Sequence, residues 1–346
     1  MKAARLHAYG ELPVVEEIAE PTVVGPNDVI VRVGATGLCR TDLHLADGVF
    51  ADLSKPLPTV LGHETAGWVH AIGPDVHDVE IGDPVLVYPQ RPCGFCPPCR
   101  RGHDQFCERF EFMGATFDGG FADLVATNAR ALVKLGASVP VEVAGLADGG
   151  LTAYGAVKRA VPYLPGGSVA VVIGAGGVGH IAIQLLRTMT ATEIVVVETS
   201  AAALDLARSL GAHRIIPADG RQVEAVREAT GGRGADVVID FVGDGGTPGD
   251  AIGMLRRSGT YLVVGYGGSL EIPTGDLVFG GFNIFGVAMG THAELVELAA
   301  LAERRLVKVT TRTYPLDAIA DAMGDLRQGR IEGRAVIVPE QAGAVG

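Results

Sequence analysis

The chain reads as a two-domain α/β protein, with one β-rich domain and one doubly wound parallel-sheet domain. Three observations predict this. Short β-type runs separated by turn signals fill the first 150 residues. From Ser168 onward, continuous apolar runs alternate with amphipathic helical stretches. A Gly-x-Gly-x-x-Gly turn stands between the first of those apolar runs and the helix after it.

The elements follow in order. Residues 3–8, 28–33, 67–72 and 84–87 are strand-like. Turns such as Gly25-Pro26-Asn27-Asp28, Gly73-Pro74-Asp75 and Gly82-Asp83-Pro84 separate them. A barrel or sandwich with polar loops is expected. The character changes near Leu151. Val169–Ile173 is an apolar strand, 178–189 an amphipathic helix, 194–197 a strand and 201–210 a helix. Strands at 237–241, 260–264 and 284–287 continue the series, with a helix at 251–256 among them. The tail reads helix, strand, helix, strand: 292–304, 311–314, 316–327 and 334–338. It is expected to return to the first domain. The domains are therefore 1–150, completed by 291–346, and 151–290.

Composition bounds the function. The 346 residues are 48% hydrophobic and 20% charged, as in a globular chain with a large core. The net charge of −12 argues against nucleic acid or an anionic membrane surface as a partner, since both call for basic patches. The N-terminus has no apolar signal core, and no apolar run reaches the roughly 18 residues of a membrane span. A soluble cytoplasmic protein is the expectation. Five cysteines, four of them clustered, favour metal binding over a disulfide framework.

Gly174-Ala175-Gly176-Gly177-Val178-Gly179 follows a strand and opens a helix. In that context the first glycine makes the turn, the second lets backbone approach a pyrophosphate, and the third lets helix and strand pack closely. The helix N-terminus offers N–H groups and partial positive charge to phosphates. Glu198 ends the next strand, where an acidic side chain binds ribose hydroxyls and repels a 2′-phosphate. NAD is favoured over NADP, and residues 199–203 contain no Arg for that phosphate. His180 opens the helix, and its plainer reading is structural. His7, His70, His77, His103, His213 and His292 are read as surface residues.

Cys93, Cys96, Cys99 and Cys107 supply four thiolates at short spacing. They can close a tetrahedral shell around a structural zinc with no open position. Only Cys39 then remains. A catalytic zinc needs three protein ligands and one open position. Cys39 and His63 are candidates, and the third must be His, Asp or Glu. Glu64 adjoins His63, and neighbouring side chains rarely both face one ion. Asp148 lies at the domain junction.

At these residues the chain resembles the zinc-dependent medium-chain alcohol dehydrogenases over essentially its whole length. The matching pieces are GLCRTDLH at 37–44, GHE at 62–64, the four-Cys lobe, ADGGLTAYGA at 147–156, GAGGVG at 174–179 and GRAVIV at 333–338. The motif with Asp at the junction is similar to that of bacterial NAD-dependent secondary alcohol dehydrogenases.

The resemblance implies a GroES-like catalytic domain, a Rossmann domain and an active site in the cleft. It also implies homodimers or homotetramers joined partly through the Rossmann sheets. It places catalytic zinc on Cys39, His63 and Asp148, with Glu64 behind the metal. It makes Asp42 the orienter of His63, Thr41 the contact to the alcohol oxygen, and His44 the end of a proton relay through the nicotinamide ribose. Arg40 and Arg334 would contact the pyrophosphate and Thr152 the nicotinamide. Val242 and Gly265 join Gly174, Gly176, Gly177, Val178, Gly179 and Glu198 as cofactor contacts.

Two positions depart from the family pattern. Ala203 stands where a basic ribose contact is common, and Arg91 where many relatives have an apolar pocket residue. The implied reaction is reversible hydride transfer between an alcohol, secondary or otherwise primary or aromatic, and NAD, with two zincs per chain. A zinc-free quinone-type reductase would lack Cys39, His63 and the lobe. A non-catalytic zinc module leaves the dinucleotide turn unexplained.

Overall fold

The computed structural model describes residues 1–340; the last six residues of the 291–346 segment lie outside the described residues. The chain divides into two compact units, Met1–Leu151 with Thr291–Gly346, and Thr152–Gly290.

The first unit is built on a seven-stranded sheet. Its order is Thr311–Pro315, Arg334–Val338, Asp28–Leu38, Glu64–Ile72, Pro84–Val87, Leu132–Lys134, with Leu124–Asn128 paired to Asp28–Leu38 off that path. A three-stranded sheet of Val14–Glu17, Lys2–Leu6 and Thr59–Val60 accompanies it. One apolar cluster contains Val31, Val33, Val69, Val85 and Val87; a second contains Leu6, Leu38, Leu61, Phe121 and Ile337. The rows of valine suit pleated, buried faces.

The register of the central strands sets up the site. Gly37 lies opposite Glu64, and Leu38 opposite Ala335. Cys39, just past one strand end, and His63, just before the neighbouring antiparallel strand, are therefore brought to one edge of the sheet.

The second unit is a six-stranded parallel sheet. Its order is Arg214–Pro217, Glu193–Glu198, Val169–Ile173, Ala235–Asp240, Leu255–Val263, Asn283–Gly286. The order reverses between Val169–Ile173 and Ala235–Asp240, which is the switch point where such sheets bind ligands. All five residues of Val169–Ile173 are buried, as expected for a central strand covered on both faces.

Two local differences from the sequence reading have physical causes. Arg214–Pro217 is an edge strand with one buried residue, too weak an apolar run to register. The helix expected at 251–256 lies at Thr247–Met254, and Leu255 already begins the next strand. Among the described residues no helix is long and apolar enough to cross a membrane.

Candidate active site and cofactor site

One short helix organises the first cluster. Cys39 is the N-cap of Arg40–Ala46. The Asp42 carboxylate reaches back to accept the Cys39 N–H at 2.8 Å, and its other oxygen accepts the Gly62 N–H at 3.1 Å. That same oxygen lies 3.2 Å from His63 Nδ1. Asp42 thus holds the backbone of one candidate ligand and turns the ring of another, a common second-shell arrangement at metal sites. His63 Nε2 then faces Asp148 Oδ2 at 3.4 Å.

Ligand atoms of Cys39, His63, Glu64 and Asp148 all lie within 4.8 Å of one another. His63 is fully buried, and neither ring nitrogen makes a hydrogen bond of acceptable geometry. Such orphaned buried nitrogens are rare without a function. Burial pushes the imidazole toward neutrality, but the Asp42 charge and the contacts to Asp148, Asp42 and Cys39 raise its pKa well above 6.5. Burial likewise disfavours the Cys39 thiolate, yet Arg334 and His63 bring its pKa below the usual thiol value. A buried thiol, imidazole and carboxylate arranged to favour positive charge fit a zinc ion.

Glu64 takes no open role in this cluster. Its carboxylate is clasped by Arg334, whose Nε donates to Oε2 at 2.7 Å and whose Nη2 donates to Oε1. The Gly149 N–H also donates to Oε1, at 2.9 Å. The buried Glu64 therefore ties the strand of Arg334 to the backbone next to Asp148. Gly37 is required here, because a Cβ at that position would overlap Glu64 Oε2. This explains the glycine two residues before Cys39. The resemblance assigned Arg334 to the pyrophosphate; the structure pairs its guanidinium with Glu64.

Thr41 and His44, three residues apart on the same helix, share a face. The Thr41 hydroxyl is 3.7 Å from Cys39 Sγ. Burial and the nearby Arg40 hold the His44 pKa below 6.5. Arg40 is exposed. Phe112, which sequence reasoning did not single out, sets its ring centroid 5.2 Å from that of His63, and Phe50 sits 6.3 Å from His44. Nothing in their spacing marked them. Arg91 lies over the Phe117 ring at 3.6 Å and donates to the Ala126 carbonyl.

The four-Cys lobe forms a second cluster, its sulfurs all within 4.8 Å of one another. Sγ of Cys96 and Sγ of Cys107 are 3.9 Å apart. A tetrahedron with zinc–sulfur bonds of about 2.3 Å requires about 3.8 Å. Backbone N–H groups of Phe95 and Cys96 donate to Cys93 Sγ at 3.5 and 3.4 Å, which pulls the Cys93 thiol down to about 6. His103 is exposed and stands outside this cluster. His292, read as surface, is half-buried against Tyr88 and the Leu132 carbonyl.

The second unit carries the glycine turn. Gly174 has φ of +85°, and a Cβ on Gly179 would overlap the Gly174 carbonyl, so turn and helix touch backbone to backbone. A Cβ on Gly176 would meet nothing within 4 Å, leaving room for a ligand. Gly177 and Val178 complete the turn, and the helix Gly179–Met189 starts directly after it. This is a cradle suited to a pyrophosphate. Glu198 accepts the Ala175 N–H at 2.8 Å and the Ser200 N–H at 2.9 Å, so its carboxylate lies against the turn. Val242 and Gly265 lie in the turns leaving neighbouring strands. Thr152 is half-buried in the helix Gly149–Ala160. Ala203 is in the first turn of the helix capped by Ser200.

Comparison with known proteins places these features in a family. The alcohol dehydrogenase GroES-like domain matches residues 25–137, and the zinc-binding dehydrogenase domain matches residues 177–304. The NAD-dependent alcohol dehydrogenase of Sulfolobus acidocaldarius is 34% identical, over 97% of this chain and 99% of its own. The D-arabinose 1-dehydrogenase (NADP(+)) of Saccharolobus solfataricus is also 34% identical, over 98% of this chain and 97% of its own. The alcohol dehydrogenase structure from Aeropyrum pernix superposes with a TM-score of 0.95 at 40% identity, covering 98% of this chain and 100% of that one. The chain belongs to the zinc-type medium-chain alcohol dehydrogenase family.

Proposed function

We propose that the chain is an NAD-dependent alcohol dehydrogenase, with secondary alcohols and their ketones as its substrates. The observation that carries this reading is the gathering of Cys39, His63 and Asp148 around a buried ring, with Thr41 and His44 on the adjoining helix face. The proposed metal content is two zincs per chain, one on Cys39, His63 and Asp148 and one on the four-Cys lobe.

When bound, zinc supplies the Lewis acidity that acidifies an alcohol hydroxyl, and NAD supplies the hydride acceptor. The residues of the chain do the rest. Asp42 turns His63 so that Nε2 faces inward. Cys39 and Asp148 each bring one negative charge, which moderates that acidity. Thr41 Oγ1 would accept the alcohol proton as its own hydroxyl proton moves on along the relay to His44, which releases one to water. Its lowered pKa keeps the His44 ring neutral and receptive at neutral pH. Phe112 and Phe50 give the site apolar walls, which suit hydrocarbon substituents on the alcohol.

Glu198 selects NAD over NADP, in contrast to the NADP(+) enzyme named above. Arg40, Thr152, Val242 and Gly265 stand as further proposed dinucleotide contacts, while the Arg334 guanidinium is engaged by Glu64. Primary or aromatic alcohols are the alternative substrates. A cytoplasmic homodimer or homotetramer without nucleic-acid or membrane partners completes the proposal.

A panel of secondary, primary and aromatic alcohols, assayed with NAD and with NADP beside a zinc count, tests it. Two zincs per chain and preferential NAD reduction by secondary alcohols are expected. One zinc per chain would remove the catalytic assignment, and an NADP preference would remove the argument from Glu198.

A further inference from the structure

Asp240 ends the strand Ala235–Asp240 and is fully buried, with no cation paired to it among the described residues. Its Oδ1 accepts the N–H groups of Val242 and Gly243, both at 2.9 Å. Its Oδ2 accepts the Tyr261 hydroxyl at 3.0 Å and the Thr247 hydroxyl at 2.8 Å, a hydroxyl that also reaches the Asp244 carbonyl at 3.0 Å. Its backbone carbonyl accepts Val264 N–H at 3.0 Å and Gly265 N–H at 2.9 Å. The carboxylate thus has a donor for each of its four lone-pair positions.

These bonds converge on one place. Asp240 is in register with Ile173 on one side and Val263 on the other, at the C-terminal edge of three adjacent strands. The turn it closes touches both neighbours. Gly243 has φ of +65°, and a Cβ there would overlap the Gly265 carbonyl. A Cβ on Gly174 would come 2.8 Å from Val242 Cγ2. The side chain therefore fixes the Val242–Gly243 turn, the main-chain carbonyl of the same residue holds Gly265, and the fixed turn packs directly against Gly265 and Gly174, beside the point where strand order reverses. A buried carboxylate is costly even when hydrogen-bonded, and here no ion pair offsets that cost.

We propose that Asp240 is a positioning residue for dinucleotide binding, fixing Val242 and Gly265 relative to the glycine turn. This rests on the reading that those two residues face NAD. Asparagine can keep the arrangement: its carbonyl accepts the Val242 and Gly243 N–H groups, while its amide donates to the two hydroxyl oxygens. Alanine cannot.

The test uses the zinc-loaded full chain and measures NADH dissociation by fluorescence, KM for NAD, zinc content and melting temperature. Asp240→Ala is expected to weaken NADH binding about tenfold, the scale of one to two lost hydrogen bonds, with zinc content and KM for the alcohol unchanged. Asp240→Asn is expected to restore affinity to within about threefold. Tyr261→Phe should lower the melting temperature while leaving NADH affinity in place. Gly243→Ala gives a second route if Asp240→Ala does not fold: it pushes the turns apart with Asp240 intact, and NADH binding should weaken. Unchanged NADH affinity in either folded variant overturns the proposal. So does a loss of affinity that only tracks melting temperature across the set, or an Asn variant as weak as Ala. If the unaltered protein does not bind NADH, the underlying reading of the site fails instead.

Discussion

The two metal-type clusters of the first unit are built in opposite ways. The four cysteines come from one loop, Cys93 to Cys107, held by backbone N–H groups donated to sulfur within that loop. Cys39, His63 and Asp148 come from three distant segments, and what holds them is the fold: a strand register, the Asp42 clamp and the Glu64–Arg334 pair. The first cluster has little to arrange it besides its own spacing and a metal, so zinc there acts as part of folding. The second is arranged by hydrogen bonds and an ion pair between protein groups outside the ligand set. One cluster is a staple, and the other is a socket.

Substitutions can separate the two. The largest expected effect is on the socket: Asp148→Ala should lower alcohol oxidation by about a thousandfold, the scale of losing several kcal/mol of Lewis-acid stabilisation. Metal analysis should show one zinc left, on the lobe. A zinc-replete, active variant would mean that another residue completes the socket.

Next is Arg334→Met, which strands the buried Glu64 carboxylate and should cost about 3–5 kcal/mol of stability in denaturant unfolding. Glu64→Gln in the same chain should recover much of that loss; no recovery would show that the pair does not act as a unit. In the staple, Cys99→Ser should lose the second zinc and lower the melting temperature by about 5–10 °C. Turnover per folded molecule should fall far less than in Asp148→Ala. Equal losses of turnover would erase the distinction between the clusters.

The smallest effect concerns the relay. His44 has a pKa below 6.5 through burial and Arg40, so it is neutral in the fold at neutral pH. Its contribution to stability is complete above about pH 6.5 and is lost as pH falls through the lower folded value. The acid limb of alcohol oxidation should lie below pH 6.5 for the same reason. His44→Gln should slow oxidation about tenfold at neutral pH and flatten that limb. A pH–rate profile that keeps its acid limb in the variant would assign the outlet to another group.

What was legible in the sequence follows the same division. The lobe is local, so spacing alone shows it. The glycine turn is legible because its chemistry is set by neighbours in the chain. Cys39 and His63 were candidates from residue type, but Asp148 needed a resemblance to select it, because only the tertiary fold brings it, about 85 residues on in the chain, beside His63. The Glu64–Arg334 pair was not legible: nothing in sequence separates an arginine that meets a phosphate from one that meets a carboxylate across a sheet. Asp240 escaped notice because a strand-end aspartate looks like an ordinary turn residue until its donors are counted. The edge strand Arg214–Pro217 was missed for a related reason: its single buried residue carries too little apolar pattern.

The Asp42 clamp has a consequence for time rather than for structure. The bond that caps the helix Arg40–Ala46 belongs to the same carboxylate that orients His63. Fraying of that first turn therefore moves two ligands together, and the turn cannot loosen without opening the metal shell. A zinc held on Cys39 and His63 would exchange only as that helical turn opens, and zinc isotope exchange should speed up in Asp42→Ala even where the rest of the fold remains formed.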